Sequence, residues 1–388
     1  MRIFLLVVLL AWSRPILADE VLRIGILSRH RPAELLVEAL PQGAKLQVEI
    51  VALDGRVEKR QVKRLELRCG GDAPVMGLGR AGARFRLRPS RGKMLRLTLP
   101  GKFKRSYKGW LDLSENKGLC RVVLHSPLEA YVESVACAEL GPAAPAEALR
   151  AQAILARTYA LTNRGRHEAE GFELCDLTHC QMFTGEQACS SAQRSILASV
   201  RGQVLRYGDK LAQVAFFSTC AGHTASARDV WGPAADRPYL RGVKDGESQA
   251  HCAASDHWRW RFQLPATELC ARLRGELPGL GAGPCRVTVA KEGHGGWVRE
   301  MSIEAAGRVE LSGARFHMLM GRWYGWGKFK SGRFQVEARG PNLVFLGQGM
   351  GHGVGLCQHG AMGMAKKGAE ASEILKHYFP GTKIGRLP

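Results

Sequence analysis

The stretch from Tyr131 to Leu161, YVESVACAELGPAAPAEALRAQAILARTYAL, decides the fold of this chain, because it predicts two helices joined by a sharp elbow. The apolar residues of the first helix recur at helical spacing, at Leu128, Tyr131, Val132 and Val135. Gly141 and Pro142 break this helix, and Pro145 suits the first position of the next one. Strong helix formers extend the second helix from residue 146 to 161, and it ends near Gly165.

One carboxylate, that of Glu139, lies at the predicted junction of the two helices. An acid at a helix end among apolar neighbours is partly desolvated, and desolvation raises the pKa of a carboxyl group. A raised pKa is what a general acid working near neutral pH requires. The alternative interpretation is an exposed glutamate at a helix terminus.

The rest of the chain predicts an α+β fold, with a helical core and β-rich N-terminal and peripheral parts. Its 388 residues are enough for two domains or for one large domain. Short alternating apolar runs predict strands between residues 21 and 124, and later at 204–209, 214–218, 287–289 and 298–303. Further helices are predicted at 187–200, 265–273, 314–320 and 370–379. We expect three parts: a signal peptide at 1–18, a basic β-rich part at 19–118 and a catalytic core at 119–388.

The first 18 residues predict export. A positive start is followed by an apolar run that is too short to span a bilayer, and Ala18 offers a small residue for cleavage. An uncleaved anchor is the alternative. No later stretch has the length of a membrane helix, so the mature protein is expected to be soluble. We expect it either in the periplasm or in the cell wall and extracellular space.

The net charge of +21 predicts an anionic partner. Between residues 56 and 108 the chain has seventeen Lys and Arg against three Asp and Glu. For an exported protein the available polyanions are envelope polymers (peptidoglycan carboxylates, teichoic acids or lipopolysaccharide) rather than nucleic acid. The alternative is a solvated strand face without a partner.

The eleven cysteines leave at least one thiol unpaired or bound to metal, although export permits disulfides. Two thiols and two imidazoles come close together in sequence and could supply the four tetrahedral ligands that zinc prefers: His167, Cys175, His179 and Cys180. The alternatives are a disulfide within this loop or from it to Cys189, and a histidine without a ligand role. Elsewhere in the chain, we expect a disulfide between Cys220 and Cys252.

Several motifs in order along the chain resemble the sporulation stage II protein D and amidase-enhancer family (SpoIID/LytB). The elbow segment with Glu139 and EALRAQAILARTYAL resembles one signature of this family, and QGMGHGVGLCQHGAMGMA at 348–365 followed by EILKHYFPGTKI resembles another. Between them lie AFFSTCAGHTASARDVWG and PYLRGVKD, and before them FKRSYKGWLDL. The resemblance covers residues 103 to 384.

This resemblance implies a lytic transglycosylase that cleaves peptidoglycan glycan strands already stripped of stem peptides. A glycoside hydrolase needs a second carboxylate. A lytic transglycosylase does not, because the 6-hydroxyl of the muramoyl residue attacks its own anomeric carbon and leaves a 1,6-anhydro end. The resemblance makes Glu139 the general acid and base. The alternatives are a non-catalytic, peptidoglycan-binding enhancer of a cell-wall amidase, and a charge-driven polymer binder.

The resemblance also implies roles for residues beyond Glu139. Arg157 would position Glu139 or the substrate, with a structural ion pair as the alternative, and Gln152 comes from the same signature. The glycine-rich segment at 347–360, whose glycines permit positive φ or a close approach to a ligand, would present three polar side chains to a sugar: His352, Gln358 and His359. His223 is a further candidate substrate contact, and some family members bind zinc at a comparable His/Cys cluster.

The chain departs from the family where Cys357-Gln358-His359 replaces the usual Ser-Gln-Tyr, and this departure leaves the roles of Cys357 and His359 open. Cys357 as a nucleophile with His352 or His359 is a third hypothesis.

Overall fold

The computed structural model describes residues 20–30, 32–69, 84–90, 94–116 and 118–387. The predicted signal peptide at 1–18 lies outside the described residues. Within them the fold is α+β, as predicted. No helix in the described ranges is long and apolar enough to cross a membrane.

Ten strands precede the first helix in the described part of the chain. They are β1 (Val21–Ile26), β2 (Glu34–Leu40), β3 (Leu46–Val51), β4 (Val57–Val62), β5 (Arg64–Arg68), β6 (Arg84–Pro89), β7 (Met94–Leu99), β8 (Phe103–Lys108), β9 (Trp110–Asn116) and β10 (Leu119–Pro127). Their alternating apolar residues point to one side, so that Leu35, Val37 and Ala39 of β2 are all buried. The alternation seen in the sequence thus places this face against the main core.

The N-terminal strands form two sheets. One has four strands in the order β5-β2-β7-β8, and the other includes β1-β10-β9-β6-β3-β4. Strands β9 and β10 are antiparallel neighbours, so residue 118 lies in the turn of a hairpin. The Cys69–Cys120 disulfide joins the end of β5 to β10.

Eight α-helices follow in the described residues. They are α1 (Leu128–Leu140), α2 (Ala146–Thr162), α3 (Ser191–Ala198), α4 (Ala227–Trp231), α5 (Ala266–Glu276), α6 (Gly313–Tyr324), α7 (Gln358–Lys366) and α8 (Ala371–Tyr378). The predicted elbow is present: α1 ends at Gly141, whose φ of 77° favours glycine. Helix α2 packs against α1, α3, α7 and α8, and most of its side chains are buried. It is the central helix of the main core.

Twelve more strands lie between and after these helices in the described residues. They are β11 (Leu174–Cys175), β12 (Gln203–Tyr207), β13 (Lys210–Leu211), β14 (Phe216–Phe217), β15 (Trp260–Pro265), β16 (Arg286–Glu292), β17 (Val298–Glu304), β18 (Arg308–Ser312), β19 (Phe334–Arg339), β20 (Asn342–Gly347), β21 (Leu356–Cys357) and β22 (Lys383–Arg386). Strand β11 adds to the larger N-terminal sheet beside β1, so the sheet continues past the elbow.

A second hydrophobic core lies between residues 260 and 345. Two three-stranded sheets, β15-β20-β19 and β16-β17-β18, surround it together with α5 and α6. Its centre is a cluster of phenylalanine rings, with Phe316, Phe329 and Phe345 fully buried. The Cys270–Cys285 disulfide closes its edge.

Three predicted elements differ from the structure. The helix expected at 187–200 begins at Ser191, because the Ser190 hydroxyl accepts from the backbone of Gln193 and caps it. The strand expected at 214–218 is limited to β14. Helix α7, which was not predicted, begins at Gln358 inside the glycine-rich segment and continues to Lys366.

Candidate active site

The carboxylate of Glu139 lies in the last turn of α1 and is held from two sides. The backbone N–H of Met182 donates to Oε1 at 2.9 Å, and the side-chain amide of Gln358 donates to Oε2 at 3.0 Å. These donors come from a loop after β11 and from the first turn of α7. The structure therefore brings together Glu139 and Gln358, both predicted as site residues.

Burial raises the pKa of Glu139 above its ordinary value, because the charged form loses solvation. The hydrogen bonds from Met182 and Gln358 stabilise the carboxylate and oppose this rise without cancelling it. Each carboxylate oxygen keeps a lone pair after accepting one N–H bond, so the group can still carry a proton. Glu139 is therefore not the exposed helix-terminal glutamate of the alternative interpretation.

The loop that carries Met182 is fixed at several points. Residues 174 and 175 pair with β1, and Asp176 accepts a hydrogen bond from Leu27 N at 2.7 Å. Further along, Gly185 N donates to the Ser134 hydroxyl on α1 at 3.0 Å. The Cys137–Cys189 disulfide then ties the segment to α1, two residues before Glu139.

The glycine-rich segment reaches the site through strand pairing. Strand β21 runs parallel to β14, with Phe216 opposite Leu356, and α7 begins directly afterwards at Gln358. Four glycines between 349 and 355 have positive φ, as the composition predicted. At Gly353 a Cβ would collide with the Trp297 ring, so the close approach here is to the protein itself.

The structure gives Arg157 the contacts of the alternative interpretation, a structural ion pair. Its Nε and Nη2 donate to the carboxylate of Glu129 at 2.8 and 2.6 Å, and its Nη1 donates to the Gln203 carbonyl at 2.7 Å. The guanidinium is fully buried, and its carboxylate partner is Glu129. The side chain is a structural ion pair, because facing Glu129 satisfies both buried charges.

Two side chains predicted to contact substrate, those of Gln152 and His352, lie in the protein interior. The Gln152 side chain is fully buried, and among the described residues neither of its amide atoms has a hydrogen-bond partner. His352 Nε2 donates to the Phe216 carbonyl at 3.1 Å, while its Nδ1 accepts from Val354 N at 3.1 Å. Burial lowers the pKa of His352 to about 4. It is a neutral structural histidine with no ring nitrogen left for a sugar.

The two remaining polar candidates lie apart from the Glu139 carboxylate contacts. His359 Nδ1 is 3.0 Å from the Ser218 carbonyl and 3.1 Å from the Thr219 hydroxyl, which ties α7 to the segment after β14. His223 Nδ1 contacts the Thr224 carbonyl at 2.7 Å, and its own carbonyl accepts from Trp297 Nε1. His359 is next to Gln358 and partly exposed, whereas the His223 side chain lies against Gly295.

Two expectations about thiols are wrong. The sulfur atoms of Cys220 and Cys252 are 3.5 Å apart and unbonded, and Cys189 pairs with Cys137 instead of with the 175–180 loop. Cys357 is fully buried, and its sulfur accepts from Cys220 N and Gly360 N. It cannot reach a substrate as a nucleophile.

The predicted His/Cys cluster is assembled in space. One ligand atom from each of its four residues lies within 4.8 Å of all the others: His167, Cys175, His179 and Cys180. The Cys180 sulfur is 3.4 Å from His167 Nε2, and His167 Nδ1 is 2.5 Å from Glu170. A carboxylate on the far nitrogen is the usual support of a metal-binding histidine. The donor set and its geometry therefore fit zinc.

The sequence did not predict the role of Met182, because a backbone N–H donor can come from any residue type except proline.

A cavity of about 660 Å³ lies elsewhere, at the edge of the second core, with Arg259, Arg261 and Arg333 in its lining. None of the predicted site residues lines it, so the chemistry of the Glu139 site carries the functional argument.

The part of the chain that carries Glu139 matches a known protein family. Residues 116–207, which contain α1, α2 and the Met182 loop, match the SpoIID family, described as Stage II sporulation protein. Stage II sporulation protein D of Bacillus subtilis (strain 168) is 28% identical over 284 residues, covering 66% of this chain and 74% of that protein.

The family match over residues 116–207 and the similarity to this relative support membership in the SpoIID/LytB family. The Bacillus amyloliquefaciens Stage II sporulation protein D is also 28% identical, over 276 residues, covering 66% of the chain and 74% of the relative. The Amidase enhancer of Bacillus subtilis (strain 168) is 26% identical over 276 residues, which is 61% of this chain but only 38% of that protein. These comparisons support a function related to the cell wall.

Proposed function

We propose that this protein is a peptidoglycan lytic transglycosylase in which Glu139 is the general acid and then the general base. The observation that supports this most is the partly buried Glu139 carboxylate, whose pKa is raised by burial and whose orientation is fixed by Met182 and Gln358. A group of this kind retains a proton closer to neutral pH than an exposed glutamate does.

The reaction needs one carboxyl group used twice. Protonated Glu139 gives its proton to the glycosidic oxygen as the bond from that oxygen to the muramoyl C1 breaks. The resulting carboxylate takes the proton of the muramoyl 6-hydroxyl as O6 bonds to C1. The products are a free 4-hydroxyl on the leaving sugar and a 1,6-anhydro-muramoyl end, and Glu139 regains its proton.

The acids nearest to Glu139 in sequence are engaged elsewhere, which favours a mechanism with one carboxylate. Glu133 accepts from Lys108 Nζ at 3.5 Å, and Glu147 pairs with Arg150 and accepts from Ala371 N at 3.0 Å. Neither is positioned as a partner of Glu139.

The His/Cys cluster is proposed to bind a structural zinc ion. Its four protein ligands would close the tetrahedral site and leave no position for substrate. The loop from Cys175 to Cys180 continues directly to Met182, so a metal at the cluster would hold the backbone N–H that orients Glu139.

Export and wall binding complete the proposal. Three disulfides favour an oxidising compartment such as the periplasm or the cell exterior. The net charge of +21 would concentrate the protein on anionic envelope polymers, an attraction that salt weakens.

The second candidate is a non-catalytic enhancer of a cell-wall amidase, and the similarity to a protein named Amidase enhancer favours it. Purified peptide-free glycan strands separate the two functions. The transglycosylase should release fragments from these strands, and Glu139→Gln should lower the rate roughly 10²–10⁴-fold. Glu133→Gln, on the same helix, is the matched control and should retain the rate. Binding to walls without fragment release by folded wild-type protein would favour the enhancer.

A further inference from the structure

A second cluster of metal-ligand side chains lies away from the His/Cys cluster. It consists of three thiols and one carboxylate, from Cys220, Asp245, Cys252 and Cys357. One ligand atom from each lies within 4.8 Å of the others, and all four residues are buried. Three distant segments of the chain thus meet at one point in the main core.

Strand pairing and backbone hydrogen bonds bring the four ligand residues together. The parallel pairing of β14 with β21 brings Cys220 beside Cys357, and Cys220 N donates to the Cys357 sulfur at 3.2 Å. Cys252 N donates to Asp245 Oδ2 at 2.9 Å. Tyr378 of α8 donates to Asp245 Oδ1, so the carboxylate is fixed from both sides.

Two positively charged or partly positive groups lie beside the cluster. Gly360 N in the first turn of α7 donates to the Cys357 sulfur at 3.3 Å, where the helix end carries partial positive charge. The guanidinium of Arg333 lies close by and donates to the carbonyls of Cys220 and Ala221 at 2.9 and 2.6 Å. Thiolates are the form in which cysteines bind metal ions.

The spacing suits a shared metal ion better than a disulfide. A sulfur–sulfur bond is about 2.05 Å long. Two sulfur ligands of a tetrahedral zinc ion, each about 2.3 Å from the metal, are about 3.8 Å apart. The observed distance of 3.5 Å between the Cys220 and Cys252 sulfur atoms is close to the second value.

The oxidising compartment expected for this protein also favours a metal ion at the cluster. Six other cysteines of this chain form disulfides, whereas these three thiols are adjacent and unpaired. In an oxidising compartment, close thiols persist unpaired when a metal ion holds them.

We propose that Cys220, Asp245, Cys252 and Cys357 bind a second zinc ion in a closed tetrahedral site. The ion fixes the start of α7, because its ligand Cys357 directly precedes Gln358, the residue that donates to Glu139. The site is structural, with no open position, and it does not depend on the transglycosylase activity.

The proposal predicts two zinc sites of different ligand chemistry in the unmodified full-length protein. Cadmium-113 NMR of the cadmium-substituted protein tests this, since a three-sulfur, one-oxygen site and a two-sulfur, two-nitrogen site give separate resonances. We expect both resonances, together with protection of Cys220, Cys252 and Cys357 from alkylation until a chelator is added. No three-sulfur resonance, or a cross-linked Cys220–Cys252 peptide in a non-reducing digest, would overturn the proposal.

Variants assign the second site to its residues. In protein already lacking the first cluster through Cys175→Ser and Cys180→Ser, one bound zinc ion should remain by elemental analysis. Adding Cys252→Ser and Asp245→Asn should remove it. Ser255→Ala, which alters a buried hydroxyl bonded to Thr219 beside the cluster, should retain it. Zinc that survives the loss of Cys252 and Asp245 would contradict the assignment, and the cadmium spectrum decides the matter if a variant does not fold.

Discussion

The side-chain amide of Gln358 donates a hydrogen bond to Oε2 of Glu139 at 3.0 Å, joining residues that are 219 positions apart. The contact unites the elbow between α1 and α2 with the start of α7. Both side chains were predicted as site residues, each from a separate sequence signature. The orientation of the proposed catalytic acid therefore depends on how α7 is anchored.

Replacing Gln358 with leucine should shift the pH dependence of cleavage upward. The amide lowers the pKa of Glu139, so its removal should raise that pKa further. Because the carboxyl must be protonated to act as an acid, the alkaline limb of the rate profile should move to higher pH. Glycan release measured across pH checks this, and an unchanged limb with a uniformly lower rate would show that the amide only supports packing.

The Glu139 carboxyl should also affect stability. Its pKa in the folded protein lies above the unfolded value, so its contribution is fully present at pH below the unfolded pKa and is lost as pH rises through the folded pKa. Glu139→Gln should remove this loss, and the variant should gain stability relative to wild type as pH increases from acid to neutral. Urea unfolding of both proteins at several pH values measures the difference. A constant difference across pH would mean that burial does not perturb Glu139.

Arg157→Met should destabilise the fold rather than impair the chemistry. It would leave the Glu129 carboxylate buried without its partner, which costs about 3–5 kcal/mol of unfolding free energy. Arg157→Met combined with Glu129→Leu should recover much of that loss, as measured by denaturant unfolding. If the double variant is stable and folded but cannot cleave glycan, Arg157 has a role in the site after all.

Loss of the zinc proposed at the His/Cys cluster should weaken the Glu139 site. Cys180→Ser should lower zinc content, reduce the thermal unfolding midpoint and loosen the Met182 N–H, because metal binding to such a site contributes to folding. Hydrogen exchange of the Met182 amide follows the local effect directly. Equal protection of that amide with and without the cluster would separate the metal from the active site.

The sequence predicted the elbow well, because apolar spacing in α1 and the Gly141 break are local signals. It did not predict α7, since Gly360 disfavours a helix locally. In the folded protein a Cβ there would collide with Tyr378 and Asp245, so tertiary packing requires the glycine. Tertiary contacts likewise decide which cysteines pair, as when Cys137 on α1 meets Cys189, and sequence spacing carries no information about them.

The site could be predicted only in part, because its tertiary contacts are not visible in the sequence. Glu139 and Gln358 were found through motifs, but a motif does not reveal which side chains face inward. Arg157, Gln152 and His352 belong to the same motifs and are occupied or enclosed by the core. The donor from Met182 arises from a backbone position that only the folded loop defines.

Digestion of peptide-free glycan strands in ¹⁸O-labelled water tests the central claim most directly. If Glu139 takes the proton of the 6-hydroxyl as O6 bonds to C1, mass spectrometry should find 1,6-anhydro-muramoyl ends that carry no label, and Glu139→Gln should make almost none. Reducing ends labelled with ¹⁸O would show that water attacks the muramoyl carbon. That result would contradict the transglycosylase account and require a second carboxylate at the site.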